Sequence, residues 1–584
     1  MPTTAEITAQ LTGPGAPFEV VRETIDGIEL KVYKERFRSL REVAAFAAVH
    51  GDKPFIVYGD RRISFTEFLA AANSVSAVLA DRYGVEKGDR VAVLSANNPE
   101  WCMAFWGTVD LGAVLVGLNG WWKTDEVEYG LADSGSKVLV ADTRRYQRIA
   151  EVVAGGGLPE LEVVFLVDGD PDSVPNPAGK HGPLVQRFDV LLGSLDAGLP
   201  AAPPIDEADP AVIFYTSGTT GRPKGAISTH RSMIANLQNT VFNTVAGTMA
   251  GDGGAMQGGE VPAAGGPAPQ VAALFTSPLF HVSGCHSTLV VGFMAGLKLV
   301  MPVGRFEPET ALGLIEAEHV AVWATVPTMV WRACECPDRH RFDLSSVKSV
   351  AFGGSPSADE LQRKVHETFP NVRTTTNAYG LTETSSVATV IGGQDAIDKP
   401  TSVGLPMPTV EVRIDGPDDA PPGTTGEVLI KGPILMKGYW NKPEATAEAI
   451  RDGWLHTGDV GHLDDDGYLF ITDRAKDMII RGGENVYCVE IENRLVEHPA
   501  IADAAVIGVP HPSLGEEVKA VVQVEEGQTI TGSEVQQWVA ETLAGFKVPA
   551  YVELTTERLP RNASGKLLKN VLRGEGDVSF DETM

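Results

Sequence analysis

Ala211-Val212-Ile213-Phe214-Tyr215-Thr216-Ser217-Gly218-Thr219-Thr220-Gly221-Arg222-Pro223-Lys224-Gly225 is the stretch from which the rest of the chain is read. Its first five residues are an apolar, β-forming run that predicts a buried strand. The ten that follow hold three glycines, which admit backbone conformations barred to other residues and let N–H groups converge on an anion. Hydroxyls on Thr216, Ser217, Thr219 and Thr220 add donors, and Lys224 adds a mobile positive charge. A strand delivering such a loop predicts a polyphosphate cradle at the end of an α/β sheet. A Walker A loop is excluded, because no Gly-Lys-Ser/Thr closes it and Pro223 stands where its helix would begin.

The remaining composition narrows the setting. With 584 residues, 43% hydrophobic and 21% charged, the chain can bury a large core. A formal charge of −29 argues against nucleic-acid and anionic-membrane partners, so any anion site is a local basic, amide-lined patch. Five scattered cysteines make neither a disulfide framework nor, with only Cys334-x-Cys336 close together, a zinc site. Reduced thiols and the absence of a basic-then-apolar leader point to the cytoplasm. The longest apolar run, Leu289 to Leu297, is too short to span a bilayer.

Residues 1 to about 35 read as a polar lead-in. Val91–Ser95, a helical Pro99–Asp110 and Ala113–Val116 then form a βαβ unit, with further buried strands at Lys137–Ala141, Val163–Val167 and Val347–Phe352. The expectation is a large α/β domain of parallel-rich sheets covered by helices. Val245 to Gln270, with eight glycines and three prolines, reads as a solvated insertion after a helix at about Ser232–Thr244. Near Asp473–Asp477 the pattern changes to a compact α+β unit, giving a large domain at 1–475 and a small one at 476–584, divided at Lys476.

Several short motifs carry chemistry. Asn377-Ala378-Tyr379-Gly380-Leu381-Thr382-Glu383 packs a flat aromatic, a hydroxyl and a carboxylate together. Tyr379 suits stacking on a purine, Thr382 suits donation to a phosphate, and Glu383 supplies a hard oxygen for Mg2+. Phe352-Gly353-Gly354-Ser355-Pro356 follows an apolar strand and lets a planar ligand approach the backbone. It is neither the Gly-Gly-Ser of a helical carrier domain, since it lies inside the α/β region, nor a nucleophile elbow, since Ser357 replaces the last glycine. His456-Thr457-Gly458-Asp459 is expected to place a carboxylate on a tight turn, suited to ribose hydroxyls or to an Asx turn. Pro560-Arg561-Asn562-Ala563-Ser564-Gly565-Lys566 puts a lysine on a glycine-loosened loop, suited to a developing oxyanion.

Taken in order, these motifs resemble those of the adenylate-forming superfamily, of acyl-CoA synthetase type, over roughly residues 40 to 573. The resemblance implies ATP, Mg2+ and CoA as ligands and a mobile small domain hinged at Lys476. It implies catalytic roles for Lys566, Thr216, Lys224 and Glu383, with Glu383 also the metal ligand. The nucleotide site it implies comprises Thr216, Ser217, Gly218, Thr219, Thr220, Gly221, Lys224, Gly354, Ser355, Asn377, Tyr379, Gly380, Thr382, Asp459, Arg474 and Lys566. Gly353, Gly380, His281 and Val282 would line the acyl pocket, and Gly482 and Gly483 would leave a channel for CoA. Cys488 departs from the family's frequent proline after the tyrosine. In amino-acid-activating members an aspartate occupies the position of His281; its absence implies an uncharged, hydrophobic carboxylic acid, fatty or polycyclic, unless His281 is a satisfied core or surface histidine. The rival readings are a ligase that stops at the adenylate or serves a carrier protein, and a silent homologue with a binding role. The expected quaternary state is a homodimer or a monomer.

Overall fold

The computed structural model describes residues 3–175, 183–195, 203–216, 222–251, 269–353, 359–372, 375–417, 421–474, 477–481, 484–562 and 566–574. It is a mixed α/β protein, and among the described residues two large, mainly parallel sheets form its body. In the first, Pro210–Thr216, Val114–Gly117, Arg90–Leu94, Val138–Ala141, Val163–Leu166 and Leu184–Arg187 run parallel in that order. Lys224–Thr229 closes one edge as the antiparallel partner of Pro210–Thr216. Val91 to Leu94 are all buried, as the continuous apolar run requires when helices cover both faces.

The second sheet keeps a parallel centre from Thr375–Leu381 through Ser349–Gly353, Val322–Thr325, Ala272–Leu274 and Lys298–Met301 to Pro54–Tyr58. Aromatic packing joins the two layers: the Trp106 and Phe293 rings lie 4.4 Å apart in a core that also buries Phe55, Phe65 and Phe105. Pro99–Asp110 starts where Asn98 accepts from the Trp101 N–H and Pro99 fills the first turn, as the sequence predicts. A smaller antiparallel sheet carries Glu411–Ile414, Gly426–Lys431, Trp454–Leu463 and Leu469–Arg474. The C-terminal unit pairs Ile501–His511 with Gly515–Val524 under the helices Cys488–Val496 and Gly532–Ala540.

Three expectations change. The lead-in is structured: Thr4–Thr12 is a helix and Val20–Ile25 pairs with Ile28–Tyr33. Phe18 and Tyr33 pack with Phe242, and the Tyr33 hydroxyl donates to Asn239 at 2.8 Å, so a few apolar residues in a polar segment suffice to anchor it. The helix expected at 232–244 runs from His230 to Ala250, because Thr229 caps its start and Gly251 takes the left-handed conformation at its end (φ 81°). Of the insertion, residues 252–268 lie outside the described residues. Finally, His456–Asp459 lies inside the strand Trp454–Leu463 rather than on a turn, and Asp459 is only 3% exposed. Cross-strand pairing on both sides, which short-range turn signals do not report, overrides the local preference.

Candidate active site

The C-terminal ends of parallel strands are where open α/β sheets place their ligands, and the motifs collect there. Thr216 ends a strand of the first sheet; in the second, Gly353 and Leu381 end two neighbouring strands and the Phe280–Val282 segment follows another. Phe280 and Leu381 line a cleft of about 2830 Å³ that Asn377, Tyr379, Gly380 and Asp459 share with Asn562 and Lys566 of the C-terminal unit.

Thr216 and Lys224, the two ends of the expected phosphate loop, pair directly across two antiparallel strands. Lys224 Nζ stands 5.2 Å from the centre of the Tyr439 ring. The Tyr439 hydroxyl donates to Glu383 Oε1 at 2.8 Å, and burial, then the Glu383 charge, push that phenol up. Tyr439 therefore links the loop lysine to the Glu383 carboxylate. Among the described residues only Oε1 of Glu383 is used in this way; its other oxygen is a hard donor of the type Mg2+ takes, so the residues present fit that ion.

Glu383 and Thr382 lie in the short turn Thr382–Thr384, which is held by strain on one side and close packing on the other. Ser385 and Ser386 both have positive φ, 49° and 117°, an unusual backbone for residues with a Cβ. Ser385 Oγ lies 3.1 Å from Ser228 Oγ and 2.9 Å from Ser232 Oγ, within hydrogen-bond reach of both hydroxyls, and its carbonyl lies 3.1 Å from His286 Nδ1. His286 is 1% exposed, and burial lowers its pKa to about 4, so it is neutral. The Ser386 carbonyl presses on Gly380: a Cβ there would sit 1.7 Å from its oxygen. Glycine at 380 is thus demanded by packing.

Tyr379 Oη donates to Asp459 Oδ2 at 2.7 Å, which brings two separate motifs to one point. Asp459 in turn pairs across the sheet with Arg474. Glu427 braces this strand: Oε1 accepts from the Gly458 N–H and Oε2 meets His456 Nδ1, both at 2.9 Å. Gly458 needs its glycine, having φ 71°. Asp415 completes a group with Glu427 and His456 whose ligand atoms lie within 4.8 Å, but both Glu427 oxygens already hold the strand.

On the acyl side, His281 caps a short turn, its Nδ1 3.0 Å from Ser283 Oγ, and Val282 beside it is buried. Asn97 ties this segment down, donating to the Ser277 carbonyl at 2.8 Å and accepting from the Leu279 N–H at 2.9 Å. Desolvation, and then the positive charge of Lys566, lower the His281 pKa to about 4. Phe280, next to His281, and Lys566 line the same cleft. Asn562 and Lys566 are tied together twice: Asn562 N–H donates to the Lys566 carbonyl, and Lys566 N–H to Asn562 Oδ1, each at 2.8 Å. Arg561, paired with Asp503 at 2.7 Å, anchors Asn562 to the small unit's sheet.

The structure gathers Asn377, Tyr379, Gly380, Asp459 and Lys566 around one cleft. Thr216 and Lys224 form a second group, joined through Tyr439 to Glu383 beside Thr382. Gly353 pairs with Ala378 of the cleft lining, and His281 and Val282 follow its Phe280. Ser217, Gly218, Thr219, Thr220, Gly221, Gly354, Ser355, Lys476, Gly482 and Gly483 lie outside the described residues, as does the Arg474 side chain. Sequence reasoning missed Tyr439, Glu427, Asn97 and His286. Each acts through a partner distant in sequence, and only the Lys437-Gly438-Tyr439-Trp440 run, a glycine beside aromatics after an apolar stretch, held a local hint.

The comparisons agree with this architecture. Residues 43–440 match the AMP-binding enzyme family and residues 490–566 the AMP-binding enzyme C-terminal domain. A feruloyl-CoA synthase from an Amycolatopsis species is 36% identical over 495 residues, covering 84% of this chain and 89% of the relative. A 3-[(3aS,4S,7aS)-7a-methyl-1,5-dioxo-octahydro-1H-inden-4-yl]propanoyl:CoA ligase from Rhodococcus jostii is 34% identical over 533 residues, covering 90% and 96%. The solved o-succinylbenzoate CoA synthetase of Bacillus subtilis, in complex with ATP and magnesium, superposes with a TM-score of 0.72 at 28% identity over 92% of this chain and 99% of that one. The chain belongs to the AMP-binding enzyme family, the adenylate-forming superfamily, on its acyl-CoA synthetase branch.

Proposed function

We propose that this protein activates a hydrophobic carboxylic acid, fatty or polycyclic, in two steps at one cleft. In the first, a carboxylate oxygen of the acid bonds to the α-phosphorus of ATP and the bond to pyrophosphate breaks, leaving the acyl-adenylate. Tyr379 stacks on the adenine, Asp459 with Arg474 takes the ribose hydroxyls, and Asn377, Gly354 and Ser355 complete the base site. Thr216, the 217–221 loop, Thr382 and Lys224 hold the phosphates, and Lys566 meets the charge that develops on phosphorus and its leaving group. Mg2+ on Glu383 would supply neutralising charge to the triphosphate. Neutral His281 with Val282, Gly353 and Gly380 walls the acyl chain, and with no carboxylate at 281 an ammonium-bearing substrate finds no partner. In the second step the small domain turns about Lys476, Lys566 leaves, and Gly482 and Gly483 admit the pantetheine arm. The CoA sulfur bonds to the acyl carbon and AMP departs. The buried, unpaired cysteines support a reducing, cytoplasmic setting.

The observation that supports this most is the single cleft that Asn377, Tyr379, Gly380 and Asp459 share with Lys566 of the C-terminal unit. A carboxylic-acid library assayed for pyrophosphate release with MgATP, then for thioester with CoA, tests it. Acid-dependent pyrophosphate followed by CoA-dependent thioester is expected. Pyrophosphate without thioester would transfer the product to a carrier protein or leave it at the adenylate; no release with any acid would favour a binding role.

A further inference from the structure

Cys488 is the first residue of the helix Cys488–Val496 in the small C-terminal unit. An N–H at that position has no acceptor within its own helix and must be satisfied from outside. It donates to Asp473 Oδ2 at 2.5 Å, a carboxylate 3% exposed on the strand Leu469–Arg474 of the large unit's small sheet. The positive end of the helix adds to that attraction. The Cys488 thiol donates to the Asp477 backbone carbonyl at 3.0 Å, and burial pushes the thiol up, so the proton stays on sulfur. Arg573 holds the Asp477 carboxylate at 3.2 Å, and the Lys569–Glu492 pair (2.8 Å) lies against the same helix. Asp473 and Asp477 lie on either side of Lys476, the proposed hinge.

We propose that Cys488 is a positioning residue for the first half-reaction: its N–H and S–H clasp the two flanks of the hinge and hold the small unit with Lys566 in the cleft. The proposal rests on the two-step reading above. Rotation about residue 476 leaves Asp473 with the large unit and carries Cys488 away, so the N–H bond to Asp473 must break before the second step. The thiol bond to Asp477 travels with the small unit and keeps its hinge flank aligned.

Proline tests the clasp cleanly, because it removes both donors yet suits the first turn of a helix. Tyr487, at φ −90° and ψ 116°, already has the extended backbone that a residue before proline prefers. Cys488→Pro should form acyl-adenylate about tenfold more slowly, the scale of losing a hydrogen bond to a charged group. It should convert synthetic acyl-adenylate and CoA to thioester at the parental rate or faster. Cys488→Ser, which keeps both donors, should match the parent in both halves. Adenylate formation by Cys488→Pro at or above the parental rate would overturn the proposal, as would parallel loss of both halves with a lowered Tm. Spin labels at Leu184→Cys and Tyr551→Cys, each 50% exposed, read the domain orientation without any turnover, the native cysteines being buried. A second distance population in Cys488→Pro and not in Cys488→Ser is expected; identical distributions would overturn the clasp. If the parent forms no adenylate with any acid, the functional reading fails while this distance measurement still decides the clasp.

Discussion

The Tyr379 hydroxyl donates to the Asp459 carboxylate at 2.7 Å, joining the end of a large parallel sheet to a strand of the smaller antiparallel one. The tyrosine thus has two duties in the proposed site, an aromatic face for the base and a hydroxyl that aims the ribose carboxylate. Tyr379→Phe separates them. It should raise the KM for ATP about tenfold, since the lost bond is to a charged group, with little change in Tm. An unchanged KM would show that Asp459 is aimed by its other neighbours alone.

Gly380 leaves no room for a side chain. Gly380→Ala puts a Cβ within 1.7 Å of the Ser386 oxygen and 2.6 Å of its carbonyl carbon, both backbone atoms. The strained Ser385–Ser386 pair must move, taking the Thr382–Glu383 turn with it. Pyrophosphate release should fall by about 10² or more while circular dichroism reports a folded protein, the scale expected when preorganised contacts are misplaced. Retention of half the parental rate would mean that the turn adapts.

Lys566 is expected to act only while it is in the cleft. Lys566→Ala should slow acyl-adenylate formation by about 10²–10³-fold, the usual loss for one preorganised electrostatic contact. Given preformed adenylate and CoA, it should make thioester at close to the parental rate. The same variant removes the charge that helps hold His281 neutral, so the His281 pKa, followed by NMR, should rise from about 4. Equal damage to both halves would make Lys566 structural.

Asp110 is a buried carboxyl whose two side-chain oxygens have no partner among the described residues, and burial raises its pKa to about 8. Arg41 bonds the backbone carbonyl of the same residue rather than the carboxylate. Between about pH 4 and pH 8 the folded chain holds a proton that the unfolded chain has released, so stability from this group is present at low pH and is lost as pH rises through the folded value. Asp110→Asn should raise Tm at pH 8 by the equivalent of roughly 2–4 kcal/mol and far less at pH 5. Thermal melts at the two pH values check this; an equal gain at both would exclude the titration.

Much of the architecture was legible in the chain because it is written in short-range chemistry. Val91 to Leu94 had to be a covered strand, and Pro99–Asp110 had to be a helix. The N-terminal segment was misread because its anchoring lies in a few contacts, such as Tyr33 on Asn239, with residues over 200 positions away.

The sequence by itself determined the fold class and the family, since both are written in residue type and spacing within short motifs. Only the tertiary structure decided that Asp459 is buried in a strand, that Tyr439 bridges Lys224 to Glu383, that Gly380 is compelled by the Ser386 carbonyl and that Cys488 reaches Asp473. Those are pairings between distant segments. Their free energy comes from desolvation and geometry, which exist only once strands from separate parts of the chain have met.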